Sequence, residues 1–337
     1  MNALVIQPAF LGDAILSLSL AEELKRRVFD AKISYLVRPE ASSIIALSPC
    51  VHKVYTFDKY KSESGISGVI KKAKELNADH FDVVFALHSS KRTLALVERL
   101  EIEEKIGYGN HREFTKQISD NYAVHTQRAV HLLSSLLDDV DVLTLPRLQS
   151  ARSDIPPAVL QLHKPIAVVS TDSVWKTKQW GAEKFILLIG LLESDGFSIV
   201  LTGVQDIFGG MNLSNHFGED ILNLIGKTTL TELAAIIEYS DLVISNDSAV
   251  AHIATAVRTR SITIFGPTLP EFGFAQPPEL GSVIDVSGLW CRPCSSHGGN
   301  ECPTHTHDCM KLIKPEKVFH RVKSVIEGTG IGAETVQ

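Results

Sequence analysis

Asp13 follows the first hydrophobic run in the pair Gly12-Asp13, and Lys178 sits in the segment TDSVWKTKQW. An aspartate at a helix start is either a cap, worth about 1 kcal/mol, or a general base that takes a proton from a bound hydroxyl. Gly12 beside it permits a tight turn and a close approach of backbone to ligand. A lysine just past a strand is either an exposed cation, as most lysines are, or the charge that neutralises a leaving diphosphate. The stretch LVISNDSAVAHIATAVRTRSITIFGPT, residues 242–268, adds a third group. A short β-branched strand runs into Asn246-Asp247-Ser248, whose side-chain oxygens suit the open N–H groups of a helix start. A small-residue helix from Ala249 to Val257 carries His252 one turn in. A strand at Ser261–Phe265 then ends in Gly266-Pro267-Thr268. Strand, capped helix, strand and glycine loop make a βαβ unit, and ligands of open α/β sheets sit at the carboxyl ends of their strands. Helix N-termini attract phosphate, so Ser248, His252 and Thr268 point to a phosphate-bearing ligand; an ordinary βαβ unit fits the same residues. His252 is either a packed core histidine or a phosphate donor, and Asp247 either a cap or a partner for a ligand hydroxyl. No G-x-G-x-x-G follows the first strand, so no dinucleotide site is expected.

The elements that must position these groups alternate along the chain. Ala3–Gln7, Lys32–Val37, Lys53–Phe57 and Asp82–Leu87 read as strands, with helical patterns at Asp13–Phe29, Ile66–Asn77, Lys91–Leu100 and His125–Leu137. Prolines 146, 156, 157 and 165 interrupt the pattern. A second series follows: strands at Ile166–Ser170, Ser198–Gly203, Ile221–Leu224 and Leu242–Ser245, helices at Glu183–Glu193 and Leu230–Tyr239, and a closing helix from Pro315 to Glu327 with proline in its first turn. Strand–helix alternation indicates parallel sheets covered on both faces. The expected architecture is α/β: two doubly wound, Rossmann-like domains, residues 1–155 and 156–314, facing each other across a cleft. Residues 315–337 are expected to pack back on the first domain.

Composition excludes several classes. With 337 residues, 44% hydrophobic and 21% charged, the chain is long enough for two globular domains. No apolar run approaches the ~18 residues of a membrane span. The start of the chain lacks a basic region and carries Asp13 inside its apolar stretch, so it does not read as a signal peptide, and a cytoplasmic protein is expected. The net charge of −6 argues against a nucleic-acid partner. Residues 1–150 balance 19 basic against 19 acidic residues, while the rest hold 14 and 20, so the excess acid lies in the second half. Basic groups at Lys25-Arg26-Arg27, Lys71-Lys72 with Lys74, and Lys91-Arg92 are either solvated helix faces or contacts to an anionic substrate or membrane surface.

Cys291, Cys294, Cys302 and Cys309 fall within nineteen residues, with His297, His305 and His307 among them. The spacing permits a structural zinc site with four thiolate ligands; free thiols in a cysteine-rich loop fit as well. A disulfide knot does not suit a reducing compartment. Cys50 is isolated and reads as core.

Taken in order, these anchors resemble glycosyltransferase family 9, the ADP-heptose:lipopolysaccharide heptosyltransferases, and the heptosyltransferase II branch most. The matching pieces are VIQPAFLGDAILSLSLAEELK, Lys178-Gln179-Trp180, Thr202-Gly203, SNDSAVAHIATAV, FGPT, the cysteine-rich segment ending Cys309-Met310, and Pro315-Glu316-Lys317-Val318. The resemblance implies the GT-B fold and inverting, metal-independent transfer of heptose from ADP-heptose, with no cofactor. Asp13 would deprotonate the acceptor hydroxyl and Lys178 would stabilise the leaving diphosphate. Gly12, Ser173, Asp247, Ser248, Ala249, His252, Gly266, Pro267 and Thr268 would bind the donor. The acceptor would be a lipid-linked inner-core oligosaccharide at the cytoplasmic membrane face, where the enzyme is peripheral. Three features depart from the pattern: Ala249 stands where glycine is frequent, Gly181 where proline is usual, and the segment His297 to His307 is richer in histidine than expected. Other readings of the same residues are transfer from a different nucleotide sugar, nucleotide-sugar epimerisation, a non-catalytic nucleotide-sugar binder, and a zinc-dependent interaction module on residues 291–309.

Overall fold

The computed structural model describes residues 1–118, 136–137, 144–211, 217–218, 220–328 and 334–336. The helix expected over His125–Leu137 lies almost wholly outside them. The chain divides into Met1–Gln149 and Ser150–Gln337, a few residues before the expected boundary. Hydrogen bonds fix the division: the Gln149 N–H donates to the Leu47 carbonyl at 3.0 Å, and the next N–H, that of Ser150, donates to the Glu238 carboxylate at 3.2 Å.

The first unit contains β1 (Asn2–Ile6), α1 (Leu11–Arg27), β2 (Lys32–Val37), β3 (Val51–Thr56), α2 (Gly65–Asn77), β4 (Val83–Ala86), α3 (Lys91–Glu98), β5 (Glu104–Tyr108) and β6 (Lys116–Ile118). Its strands are all parallel in the order β3-β2-β1-β4-β5-β6. Helices on both faces leave the central strands no solvent side, which is why Ala3-Leu4-Val5-Ile6 is apolar throughout and fully buried. Because β1 sits between β2 and β4, the chain leaves it in one direction for β2 and returns on the other side for β4. That reversal opens a crevice at the carboxyl ends of β1 and β4. Helix α1 starts at Leu11, so Gly12 and Asp13 occupy its first turn and the N-cap position falls to Phe10. Asp13 is therefore not the cap the sequence suggested, and Gly12 is helical.

The second unit contains β7 (Ile166–Ser170), α4 (Ala182–Ser194), β8 (Ser198–Thr202), β9 (Ile221–Asn223), α5 (Leu230–Tyr239), β10 (Leu242–Asn246), α6 (Ala249–Ala256), β11 (Ser261–Ile264), β12 (Gly281–Val286), α7 (Pro315–Ile326) and β13 (Glu334–Val336). The order β13-β12-β11-β10-β7-β8-β9 is again all parallel. Its reversal lies between β7 and β10. Helix α5 carries the reciprocal cap legible in its sequence, with Thr229 and Glu232 each bonding the other's backbone N–H.

Helix α7, from the stretch 315–337, belongs to the second unit. Helix α7 lays Val318, Val322 and Val325 into the same core as Phe185, Leu188 and Leu192 of α4. Lys323 pairs with Asp195 at 2.8 Å, and Arg260 donates to the Val325 carbonyl at 2.9 Å. The apolar stripe of α7 is legible in sequence, but which sheet it covers is a tertiary choice. Among the described residues no helix is long and apolar enough to cross a membrane.

Candidate active site

The loops after β7 and β10 meet where the second sheet reverses, and Asn246 joins them. Fully buried at the end of β10, it donates through Nδ2 to the Thr171 carbonyl at 3.0 Å and accepts at Oδ1 from the Trp180 N–H at 3.2 Å. A buried amide that bonds both ends of the loop after β7 fixes that loop against the end of β10. Asp172 does the same for the next loop, accepting from the N–H groups of Val204 at 2.7 Å and Gln205 at 3.1 Å. Sequence reading singled out neither role, since each needs a partner from a different strand. Ser173 lies in the same loop, and its carbonyl accepts from the Gln179 side chain at 3.0 Å.

Lys178 closes a single helical turn, Lys176–Lys178, that follows β7. It is 7% exposed, and its Nζ lies 2.6 Å from Asp247 Oδ2. Asp247 is 4% exposed and also accepts at Oδ2 from the Thr268 hydroxyl at 2.6 Å. Lys178 also stands 5.8 Å from the centre of the Phe274 ring. The three residues that sequence reading placed separately, Lys178, Asp247 and Thr268, thus form one buried cluster. The lysine is not the exposed loop cation that base expectation favours. Gly181, at φ +105, leads into α4; proline cannot adopt that angle, which accounts for glycine here.

Ser248 occupies the N-cap position of α6, but its side chain caps nothing. Its hydroxyl is buried with no hydrogen-bond partner, which corrects the reading of Asn246-Asp247-Ser248 as a capping group. Ala249 is the first helical residue and half-buried. His252 is 5% exposed and packs its ring 6.2 Å from that of Phe274. Burial pushes its pKa down to about 4, with the Lys178 charge adding to the effect and Asp247 opposing it. The imidazole is therefore neutral near pH 7 and has one N–H to donate.

This neutral histidine makes stability depend on pH. Between pH 6.5 and about 4 the unfolded chain binds a proton at His252 that the folded chain refuses, so stability falls as pH is lowered through that window and levels off below it. The full effect is roughly 3 kcal/mol for such a shift. His88, held neutral to about pH 4 by burial and by Lys59, adds to the same slope. Urea melts across pH 4–7 are expected to show the slope, and His252→Asn to halve it. An unchanged slope in the variant would mean His252 is solvated.

Gly266-Pro267-Thr268 lies beside the cluster. The Pro267 carbonyl accepts from the Cys294 N–H at 3.1 Å and the Thr268 carbonyl from Arg292 at 2.8 Å. Four cysteines come near each other here: burial and the neighbouring thiols raise Cys309 to about 11 and raise Cys294 as well. Cys294 Sγ donates to the Cys291 carbonyl at 3.2 Å, Cys302 Sγ lies 3.3 Å from the Thr304 hydroxyl, and among the described residues no three Cys, His, Asp or Glu are placed to hold a metal ion. Asp13 belongs to the other unit, in the first turn of α1 at the carboxyl end of β1.

The sequence pattern of glycosyltransferase family 9 (heptosyltransferase) matches residues 69–303. The chain belongs to glycosyltransferase family 9. Lys178, Asp247, Ser248, His252 and Thr268 fall inside the matched stretch, and Asp13 precedes it. The chain is 27% identical over 288 residues to lipopolysaccharide heptosyltransferase 3 of Escherichia coli K12, covering 76% of this chain and 80% of that protein. It superposes on E. coli ADP-heptose lipopolysaccharide heptosyltransferase II with a TM-score of 0.78 at 19% identity, over 97% and 99% of the two chains. It superposes on E. coli heptosyltransferase WaaC, determined with ADP, with a TM-score of 0.75 at 18% identity, over 98% and 100%. The fold is GT-B, two Rossmann-like domains, and the protein is a glycosyltransferase of the heptosyltransferase family.

Proposed function

We propose that this enzyme moves heptose from ADP-heptose to a lipopolysaccharide inner-core acceptor, inverting the anomeric centre without a metal or other cofactor. Asp13 takes the acceptor hydroxyl proton, that oxygen attacks the anomeric carbon, and the bond to the diphosphate breaks as ADP leaves. The observation that carries this reading is the buried Lys178 ammonium beside the start of α6. Developing charge on a diphosphate needs a fixed counter-charge. Here a desolvated lysine, the N–H groups of an eight-residue helix and the unpartnered Ser248 hydroxyl supply it together. Asp247 holds the lysine in place before the diphosphate arrives. His252, Thr268, Ser173, Ala249 and the Gly266-Pro267 backbone line the rest of the donor site, and Gly12 lets the acceptor approach Asp13. The WaaC structure with ADP supports the choice of nucleotide.

The first unit supports an anionic acceptor. Three of the basic residues singled out in the sequence are paired with acids: Arg26 and Arg27 bond Glu23, and Lys72 bonds Glu63 and Glu75. Arg92 instead joins two other cations. Arg38, Lys59 and Arg92 surround the exposed ring of Tyr60 at 5.4, 5.3 and 5.6 Å. Lys59 is 4% exposed, and burial together with the two arginines holds its pKa below the ordinary lysine value. Arg38 is paired with an acid, Glu40, at 2.7 Å, and Arg92 donates to the Lys59 carbonyl. All three follow the carboxyl ends of strands β2, β3 and β4, the same sheet edge as Asp13. Phosphate or carboxylate groups of a lipid-linked oligosaccharide suit such a cluster, and the enzyme then works peripherally at the cytoplasmic membrane face.

Calorimetric titration with ADP, UDP, GDP and CMP in the presence of EDTA tests the donor. Selective ADP binding is expected. Selective binding of another nucleotide would replace the donor, and dependence on a divalent cation would overturn metal independence.

A further inference from the structure

The cysteine-rich segment between β12 and α7 is not consumed by donor recognition, yet it grips the donor cluster from two sides. On one side it holds Thr177, the residue before Lys178. The Thr177 N–H donates to the Gly299 carbonyl at 3.0 Å. The Thr177 hydroxyl lies 2.8 Å from that carbonyl and 2.8 Å from the Gly299 N–H. His307 Nε2 donates to the Thr177 carbonyl at 2.7 Å. Every polar group of Thr177, itself 5% exposed, is thus committed to this segment. Gly298, at φ +97, brings its backbone against the lysine stem: a Cβ built there would lie 3.1 Å from Lys178 Cε. On the other side Arg292, anchored by Asp285 at 2.9 Å, donates to the Thr268 carbonyl at 2.8 Å, and the Cys294 N–H donates to the Pro267 carbonyl. Lys178 and Thr268 are the two groups that meet at Asp247 Oδ2.

We infer that Thr177 and His307 are positioning residues, and that segment 291–310 forms the wall that holds Lys178 against the donor diphosphate. The inference rests on the reading of Lys178 as the diphosphate's counter-charge. A lysine side chain has about 2 kcal/mol of rotamer entropy to lose. Fixing the preceding residue, Thr177, by four hydrogen bonds and the lysine stem by Gly298 restricts that freedom before the ligand binds, so less affinity is lost to ordering it. A lysine displaced by as little as 1 Å forfeits most of its effect on a reacting group.

The test reads Lys178 directly. Brief acetylation with acetic anhydride followed by peptide mass mapping reports how firmly each lysine is held. Thr177→Val keeps the branched shape and loses both hydroxyl bonds; it is expected to speed Lys178 acetylation roughly tenfold while Lys164 and Lys184 of the same unit keep their rates. Thr177→Ser should restore protection. Gly298→Ala, whose Cβ would press on the Lys178 stem and on Trp175 Cβ at 3.1 Å each, should act like Thr177→Val and serves where the latter does not fold. ADP affinity is expected to fall with acetylation protection, and Thr177→Val should have no further effect on it in a Lys178→Met background, whereas a mere fold anchor would subtract equally in both. Unchanged Lys178 labelling in both Thr177→Val and Gly298→Ala overturns the inference. Absence of ADP binding by the wild type, with labelling behaving as stated, would overturn the donor assignment and leave the clamp standing.

Discussion

Asp13→Asn is expected to abolish heptosyl transfer and leave ADP affinity within twofold. The amide fills the space of the carboxylate but cannot take a proton, so the acceptor hydroxyl must attack undissociated. General-base removal typically costs about 10²–10⁴ in rate, and that loss should appear in kcat for both substrates. Asp13 belongs to the first unit, while Lys178, Asp247, Ser248 and Thr268 all belong to the second, which is why nucleotide binding should not notice the change. The fold should notice little more. Asp13 lies in the first turn of α1, where a negative charge favours the helix by about 0.3–1 kcal/mol, so the melting temperature should drop by only a few degrees. Transfer by the variant within tenfold of wild type would remove Asp13 from the base role.

Lys178→Met should damage both stability and catalysis, and the two effects can be separated. The pair Lys178–Asp247 is 2.6 Å apart with both side chains under a tenth exposed. Removing one partner of a buried pair strands the other charge, at a cost of about 3–5 kcal/mol. Thr268 still donates to Asp247 and will relieve part of it. Loss of the counter-charge to the leaving diphosphate should cost a further ~10²–10³ in kcat. The double variant Lys178→Met/Asp247→Asn carries no stranded charge. It is expected to recover most of the stability and none of the transfer. Denaturant melts and kcat of the single and the double variant decide the matter. A single variant as stable as wild type would mean the pair is solvated and the lysine free, and recovered transfer in the double variant would deny Lys178 its role.

Much of this site could be read from local pattern. The Gly12-Asp13 pair after an apolar strand, Lys178 in a loop past a strand, and Asn246-Asp247-Ser248 opening a small-residue helix are all sequence-local signatures, and the structure places each at the carboxyl end of a strand of a parallel sheet. Element bounds agreed within a few residues for strands such as Lys32–Val37 and helices such as Leu230–Tyr239. Four strands escaped notice: β5, β6, β12 and β13. Glu104–Tyr108 opens with charge, Lys116–Ile118 and Glu334–Val336 have only three residues each, and Gly281–Val286 begins at a glycine. Short or edge-lying strands give too little periodicity to distinguish them from loop.

What the sequence alone determined is the alternation of strand and helix, and with it two parallel sheets whose loops carry the reactive residues. Period and capping are properties of neighbours along the chain, so they are written locally. Only the tertiary structure decided the order of the strands, and hence that Asp247 from the loop after β10 meets Lys178 from the loop after β7. It also decided that Arg92 joins Arg38 and Lys59 while Arg26 and Arg27 are spent on Glu23, that α7 covers the second sheet, and that Gly299 receives Thr177. Each of these is a pairing between distant segments. Its free energy depends on which buried charge or orphaned hydrogen bond another part of the fold can satisfy, and no window of sequence contains both partners.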